Sequence, residues 1–514
     1  MHKTIARLAA FSYLMMFPVI GLLVAYIGLC DPDTCWHLAL GRWMFEHHAL
    51  PHVDPYSSNI SSYVFVNSSL PLMQHEWLSD LFFYSIYSLG GLTGLLVTTA
   101  ALSCVSLVFL PTRVMLRYRT PRAVIILAVS LTVYASSFRL WVRPESLSFV
   151  CMSLLIYLNE LARTAKVRNF TIICALFFIL FTVWCNLHIV FIAGIGYLLT
   201  YYLIGIVQAK AAGRKLPNLA RVGMLISASL AGTFVNPWNV HLWLYVCKLL
   251  HSPITHMNKE NGHMMLSDIK HPTFIPLVAL YVLFWVIGWA ALRERGSGAR
   301  SHLFPFMLSG VSTLIVVLFR RLTPLALLMK LTGISRFYEP RSGHADMSYV
   351  YETPLEENLR RHHVPGGPAI NWLGLGFAVL TCTGATLWLV PPQLPAPSRL
   401  FDPPYRAMDF LQQKCPAGRM FNDSKFGSML TWYFVKPPDI FVDGRFDSFD
   451  RPLIYDYNDM RLCKSGWQSL LRKYDIGWVF FPPEAPLIRA LELTSGWKEI
   501  YKDDAAAIVV RTED

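Results

Sequence analysis

The sequence predicts a polytopic α-helical membrane protein of about 11 spans, followed by a C-terminal extracytoplasmic α/β domain. Three observations lead there. The 514 residues are 54% hydrophobic and only 15% charged, where soluble domains carry about 25% charged residues. Apolar runs of membrane length, about 20 residues, recur along the chain. The net charge of +12 is also lopsided: residues 392–514 hold 16 Lys and Arg against 17 Asp and Glu, while the rest of the chain holds 29 against 16. That excess fits positive-inside loops better than a nucleic-acid-binding footprint, so no nucleic-acid partner is expected.

Spans are expected near 8–30, 92–112, 123–138, 146–163, 170–187, 188–208, 222–236, 273–292, 303–319, 322–335 and 371–391. The first follows Lys3 and Arg7 and lacks a small-residue cleavage site, so it reads as a retained anchor. Arg113, Arg117, Arg119 and Arg122 share one short loop, and Arg163, Lys166 and Arg168 a second. Lys210, Arg214, Lys215 and Arg221 make a third, and Arg293, Arg295 and Arg300 a fourth. All four fall on the side of the N-terminus, which is then cytoplasmic. Residues 31–76 carry five acids and one basic residue, Arg42, and so face the other way. A single helix over 303–335 would be too long for a bilayer. Arg320-Arg321 and Pro324 suggest a break into two spans, which puts the C-terminal domain outside.

Residues 1–391 are thus expected to form a transmembrane domain, with 31–91 as its first outer loop. In that loop Trp36, Leu40, Trp43 and Met44 recur at helical spacing, as in an amphipathic helix on the membrane interface. Pro51 and Asp54-Pro55 end it. Glu76-Trp77 opens a second apolar stretch to Leu89, and Gly90-Gly91 and Gly94 turn the chain into the next span. Pro391-Pro392, Pro395 and Pro397 mark the linker to residues 392–514, the soluble domain. There 440–442, 477–481 and 507–510 read as strands, and 456–474 and 486–493 as helices. Most of the ten cysteines lie in apolar runs and read as small buried hydrophobes. Cys415 and Cys463 could pair as a disulfide.

The candidate chemistry begins at Asp31-Pro-Asp33, at the mouth of the first span, where desolvation makes charge costly. One aspartate could cap the helix that follows. Either could take a proton from a hydroxyl, and together they could hold a divalent metal, the one cofactor left open. His37 lies four residues beyond Asp33, on the same helix face, or is an interfacial histidine bonded to water. His75 and Glu76 precede Trp77, an acid beside an aromatic that suits a sugar, or a helix start in the interface belt. Arg139 and Arg143 lie between spans three and four, and Arg320 and Arg321 between nine and ten. All four run against the positive-inside trend. Guanidinium grips phosphate oxygens bidentately, and snorkelling to lipid headgroups is the alternative. Asn186 and His188 border the same side. Asp443-Gly444-Arg445 and Asn422-Asp-Ser424 read first as turn signals.

These motifs, in this order, resemble the GT-C superfamily of membrane glycosyltransferases, which includes protein O-mannosyltransferases, aminoarabinose transferases and oligosaccharyltransferases. The similarity extends to an uncharacterised bacterial branch. It rests on Asp31 to His37, Pro51 to Ser57, His75 to Trp77, Arg143 to Glu145, Asn186 to His188 and Phe441 to Arg445. The resemblance implies a first outer loop with interfacial helices, a bacterial inner-membrane location and a polyprenyl-phosphate sugar donor. It also implies Asp31 or Asp33 as catalytic acid and Arg320 or Arg321 on the donor phosphate. The superfamily's later metal ligands have no clear match. The expected activity is transfer of a sugar, hexosyl or pentosyl, to an extracytoplasmic lipid, glycan or protein. A lipid-linked glycan transporter or flippase would favour internal repeats and charges deep in the spans. A non-catalytic assembly protein would keep the fold and bind a membrane-protein partner through 392–514.

Overall fold

The computed structural model describes residues 2–27, 31–60, 72–163, 165, 167–213, 215–250, 264, 270–294, 302–339, 403–434 and 436–512. The expected span at 371–391 and the proline linker from Pro391 lie outside them. The chain divides into two compact units. The first takes Met1–Gly28, Leu96–Asn239 and Asn258–Val390, and the second Leu29–Leu95, Val240–Met257 and Pro391–Asp514. Residues 391–514 therefore share a unit with the segment that follows the first helix.

The first unit is helical. It holds α1 (His2–Ile27), the second half of α3 (Trp77–Cys104), α4 (Leu110–Arg117), α5 (Arg122–Ser136), α6 (Pro144–Ala162), α7 (Val167–Leu187), α8 (Phe191–Ala211), α9 (Leu219–Gly232), α11 (Phe274–Glu294), α12 (Leu303–Leu318) and α13 (Thr323–Arg336). Among the described residues six helical stretches are long and apolar enough to cross a membrane: Trp77–Arg117, Arg122–Arg139, Pro144–Ala162, Asn169–Leu187, Phe191–Ala211 and Phe274–Arg293. The chain is an integral membrane protein. The other expected spans are shorter helices here, such as α9 and α12, or fall outside the described residues. Two starts follow directly from proline. Arg143 is extended, as a residue before proline prefers, and Pro144 opens α6 with Glu145 in its first turn. Residues 303–335 form two helices: α12 ends at Leu318, Arg320–Leu322 make one 3-10 turn, and Pro324 starts α13. Phe177, Phe181, Trp184, Phe191, Tyr197 and Phe284 fill the interior.

The second unit is a four-stranded sheet between helices. It contains α2 (Asp33–His47), the first half of α3, α10 (Val240–Leu250), α14 (Tyr405–Gln413), β1 (Arg419–Asn422), α15 (Ser424–Tyr433), α16 (Arg451–Arg461), α17 (Trp467–Lys473), β2 (Ile476–Phe481), α18 (Pro486–Glu492), β3 (Trp497–Lys502) and β4 (Ala507–Arg511). The strand order is β1-β2-β4-β3, with β1 parallel to β2 and the other pairs antiparallel. Alternation along β2 sorts the two faces. Trp478 and Phe480 join Trp36, Leu40 and Met44 of α2 and Phe426 and Leu430 of α15. Val479 and Phe481 join Ile454, Leu471, Leu487 and Leu491. Each large side chain so buried contributes about 1.5–3 kcal/mol before entropy is counted. In α3 the expected turn at Gly90-Gly91 is a kink inside one helix, with Gly91 at φ 58°, a backbone that glycine alone adopts freely.

Four expectations need correction. Ile440-Phe-Val442 is buried but is no strand. Its polar groups go to the Asn422 side chain, to Ser57 and to the Tyr56 carbonyl. Strands β1 and β3 were not expected, because their outward positions are polar or charged. The helix foreseen over 456–474 is two, broken where Cys463 (φ 52°) and Gly466 (φ 85°) turn left-handed. Cys415 and Cys463 are both free thiols.

Candidate functional site

In the first unit, four expected site residues surround one carboxylate. Glu145 bonds Arg139 through Nε at 3.0 Å and again through Nη2, and Arg321 bonds it through Nε. Arg143 and His188 lie near the same carboxylate. Arg139 and Arg143 both lie over the Trp141 ring, 4.8 and 5.0 Å from its centre. Three guanidiniums thus gather at one carboxylate. Arg139, Arg143 and Glu145 are buried, and Arg321 is 28% exposed. His188 is held from behind: its Nδ1 is 2.9 Å from Ser148 Oγ, which accepts from the Trp184 indole.

Two expected members are elsewhere. Asn186 donates to the Thr182 and Val235 carbonyls, tying α7 to the chain after α9. Arg320 points to Phe138, 5.6 Å from the ring centre, in a cleft with His271 and Thr273. Of the adjacent pair, Arg321 is the one that meets Glu145.

In the second unit, segments remote in sequence meet at Asp33. Asp31 Oδ1 accepts the Asp33 N–H at 3.3 Å, so the buried Asp31 helps begin α2. Asp33 Oδ1 accepts from Ser428 Oγ at 3.4 Å, and Ser428 Oγ accepts the Gly444 N–H at 3.0 Å. Beside it Arg445 is clamped by two aspartates. Its Nη1 donates to Asp54 Oδ2 and its Nη2 to Asp443 Oδ2, each at 2.5 Å, and it lies 5.7 Å from the Trp36 ring centre. Burial alone would lower the Arg445 pKa, but Asp443 and Asp54 outweigh it and hold the guanidinium charged. Asp54 still makes the turn foreseen for it, accepting from the Tyr56 and Ser57 N–H groups. In the sequence Arg445 and Asp443 read first as a turn signal and as part of the Phe441–Arg445 motif. Their pairing with Asp54 spans 391 residues, and no local pattern reports it.

His37 is fully packed. Its Nδ1 lies 2.6 Å from Asp80 Oδ1, and Gln74 donates to the other Asp80 oxygen at 2.8 Å. Neither Asp80 nor Gln74 stands out in the sequence. His75 and Glu76 approach each other at 3.8 Å, and the His75 ring lies 5.3 Å from Tyr245, whose hydroxyl donates to Asp447. Among the described residues no group of three or more His, Cys, Asp or Glu has metal-holding geometry.

No protein-family model matches the chain, and no curated protein matches it. Solved structures resemble it, three of them as follows. Arabinofuranosyltransferase AftD from mycobacteria is 15% identical with a TM-score of 0.49; the match covers 98% of this chain, which spans 42% of the length of AftD. ArnT from Cupriavidus metallidurans, bound to undecaprenyl phosphate, is 12% identical with a TM-score of 0.49 over 97% of both chains. The Archaeoglobus fulgidus oligosaccharyltransferase, tethered to an acceptor peptide, is 10% identical with a TM-score of 0.48, over 91% of this chain and 69% of its own. At these TM-scores the likenesses lend no weight to a function, which rests on the chain's own residues. All three are GT-C fold glycosyltransferases.

Proposed function

We propose that this chain is a membrane glycosyltransferase that moves a sugar from a polyprenyl-phosphate donor to an extracytoplasmic acceptor. The observation that carries this is the gathering of the Arg139, Arg143 and Arg321 guanidiniums at Glu145. Guanidinium forks suit phosphate oxygens. A sugar phosphodiester carries one negative charge, and the polyprenyl phosphate that leaves carries about two. Clustered cations therefore favour the departing group over the bound donor, which is the differential stabilisation catalysis requires.

In the second unit, Asp33 is the proposed proton acceptor. It is half-buried, and Ser428 engages its Oδ1. Its carboxylate takes the proton of the acceptor hydroxyl as the acceptor oxygen bonds the anomeric carbon. The bond from that carbon to the phosphate oxygen breaks, and its electron pair leaves with the phosphate. Loss of such a base costs about 10²–10⁴-fold in rate.

The test is binding of a polyprenyl-phosphate sugar to the purified full chain. The expected result is loss of binding when Arg139, Arg143 and Arg321 are all changed to Ala. A folded triple variant that binds the donor as tightly as wild type would overturn the reading.

A further inference from the structure

Gly444 lies so close to Asp33 that a side chain there has no room. A Cβ on Gly444 would sit 2.0 Å from Asp33 Oδ1, 2.8 Å from its Cγ and 3.1 Å from Ser428 Oγ. Contacts under about 3 Å are repulsive, and a short carboxylate side chain at the first turn of α2 has little freedom to retreat. The Gly444 N–H donates to Ser428 Oγ, whose hydroxyl reaches Asp33 Oδ1. Gly444 thus bounds Asp33 twice, by direct contact and through Ser428.

The loop that carries Gly444 is held at both flanks. On one side, Phe441 and Val442 are bonded by the Asn422 side chain. On the other, the Arg445 guanidinium joins Asp443 of the same loop to Asp54 of the segment after α2. Arg445 N–H also donates to Asp443 Oδ1 at 2.9 Å. Asn422, Asp443 and Arg445 are buried. An Arg fork bonded by two buried carboxylates is a rigid fixture, because removing one partner leaves a buried charge uncompensated.

We propose that Asp443-Gly444-Arg445 and Ser428 are positioning residues for Asp33: they press on and hydrogen-bond its Oδ1 and so fix the orientation of the carboxylate. A segment about 400 residues downstream thereby sets the geometry of the acid at the start of the chain. The role in transfer rests on the proposed reading of Asp33 as the proton acceptor. The contact itself does not.

Two arms of one experiment separate these, both on the purified full chain. The first measures thermal unfolding and needs no substrate. Gly444→Ala is expected to lower the melting temperature by several degrees, and Asp33→Ala in the same chain to restore most of the loss, since it deletes the atoms that clash. Failure of Asp33→Ala to rescue Gly444→Ala would overturn the proposal. The second arm measures transfer from radiolabelled polyprenyl-phosphate pentose and hexose. Ser428→Ala is expected to lower kcat about ten-fold with the donor KM unchanged, and Gly444→Ala about 100-fold, the penalty of displacing a reacting group by about 1 Å. Normal kcat in Ser428→Ala and Gly444→Ala, alongside an inactive Asp33→Asn, would overturn the positioning role. Full activity in Asp33→Asn would instead remove the proton-acceptor reading, and the melting arm would still decide whether Gly444 fixes Asp33.

Discussion

Helices α6 and α13 carry a buried ion cluster at each end, and the two clusters are built differently. At one end Glu145, in the first turn of α6, meets Arg139 and Arg321, with Arg143 beside them. At the other, about 22 Å along the helix for 15 residues, Glu160 and Arg163 meet Arg336 and Glu339 from the end of α13. Tyr118 and Tyr201 donate to Glu160, and Arg336 donates to the Tyr201 hydroxyl. The second cluster sets two Arg beside two Glu, and its carboxylates are met by hydroxyls and guanidiniums of the chain itself. The first sets three Arg beside one Glu. A network of paired charges and hydroxyls ties helices together. Clustered guanidiniums are what the proposed phosphate donor needs. On the proposed reading the difference gives structure to one end and ligand binding to the other.

The largest effect is expected in the network of paired charges. Glu160→Gln leaves Arg163 and the two tyrosines facing a neutral amide, and breaking a buried pair from one side costs about 3–5 kcal/mol. Denaturant unfolding should show that loss, while the folded fraction binds polyprenyl-phosphate sugar with wild-type affinity. A donor-binding defect at unchanged stability would reverse the assignment of the two ends.

Arg139→Ala should do the opposite. A hydrogen bond to a charged group contributes about 1.5–3 kcal/mol net, so donor affinity should fall about 10–150-fold. The stability loss should be smaller than for Glu160→Gln, because Arg321 still bonds Glu145. Equilibrium donor binding, set beside a melting curve, checks both halves. Equal stability losses in the two variants would mean that both clusters are struts.

Part of this was legible in sequence. Proline and charge placed the break between α12 and α13, because a proline's effect on the backbone is local. The helix at Asp33–His47 followed from its apolar spacing. Its setting did not: the sequence reads as an interfacial amphipathic helix, whereas Trp36, Leu40 and Met44 lie in the core against α15 and β2. Arg-Pro-Glu at 143–145 was noticed as a motif, yet Glu145 was not singled out, since its partner Arg321 is 176 residues away. Asp80 and Gln74 stayed hidden behind His37 for a similar reason. Pairings made by tertiary packing have no sequence period.

A finer probe of the same cluster is Arg321→Lys. Lysine keeps the positive charge but presents a point ammonium in place of a planar fork. The bond from Arg321 Nε to Glu145 is lost, while the charge at position 321 stays the same. Arg321 is also 28% exposed, so part of its field is screened by solvent. Donor affinity should fall by about ten-fold or less, and ionic strength should affect the variant as it does wild type. A loss as large as that of Arg139→Ala would show that fork geometry, not charge count, governs binding.

Arg320 supplies the smallest effect and the sharpest control. It neighbours Arg321 in the same 3-10 turn and carries the same charge. By charge pattern alone the two are interchangeable. Their surroundings differ: Arg321 bonds Glu145, whereas Arg320 lies against the Phe138 ring in the cleft with His271 and Thr273. A partly exposed cation–π contact is worth about 0.5–1 kcal/mol. Arg320→Ala should therefore cost stability on that scale or less and leave donor affinity within about two-fold of wild type, by the same binding measurement used for Arg321→Lys. If Arg320→Ala instead weakens donor binding as much as Arg139→Ala, the anion site extends beyond the Glu145 cluster, and the contrast between the two ends of α6 no longer defines where the phosphate binds.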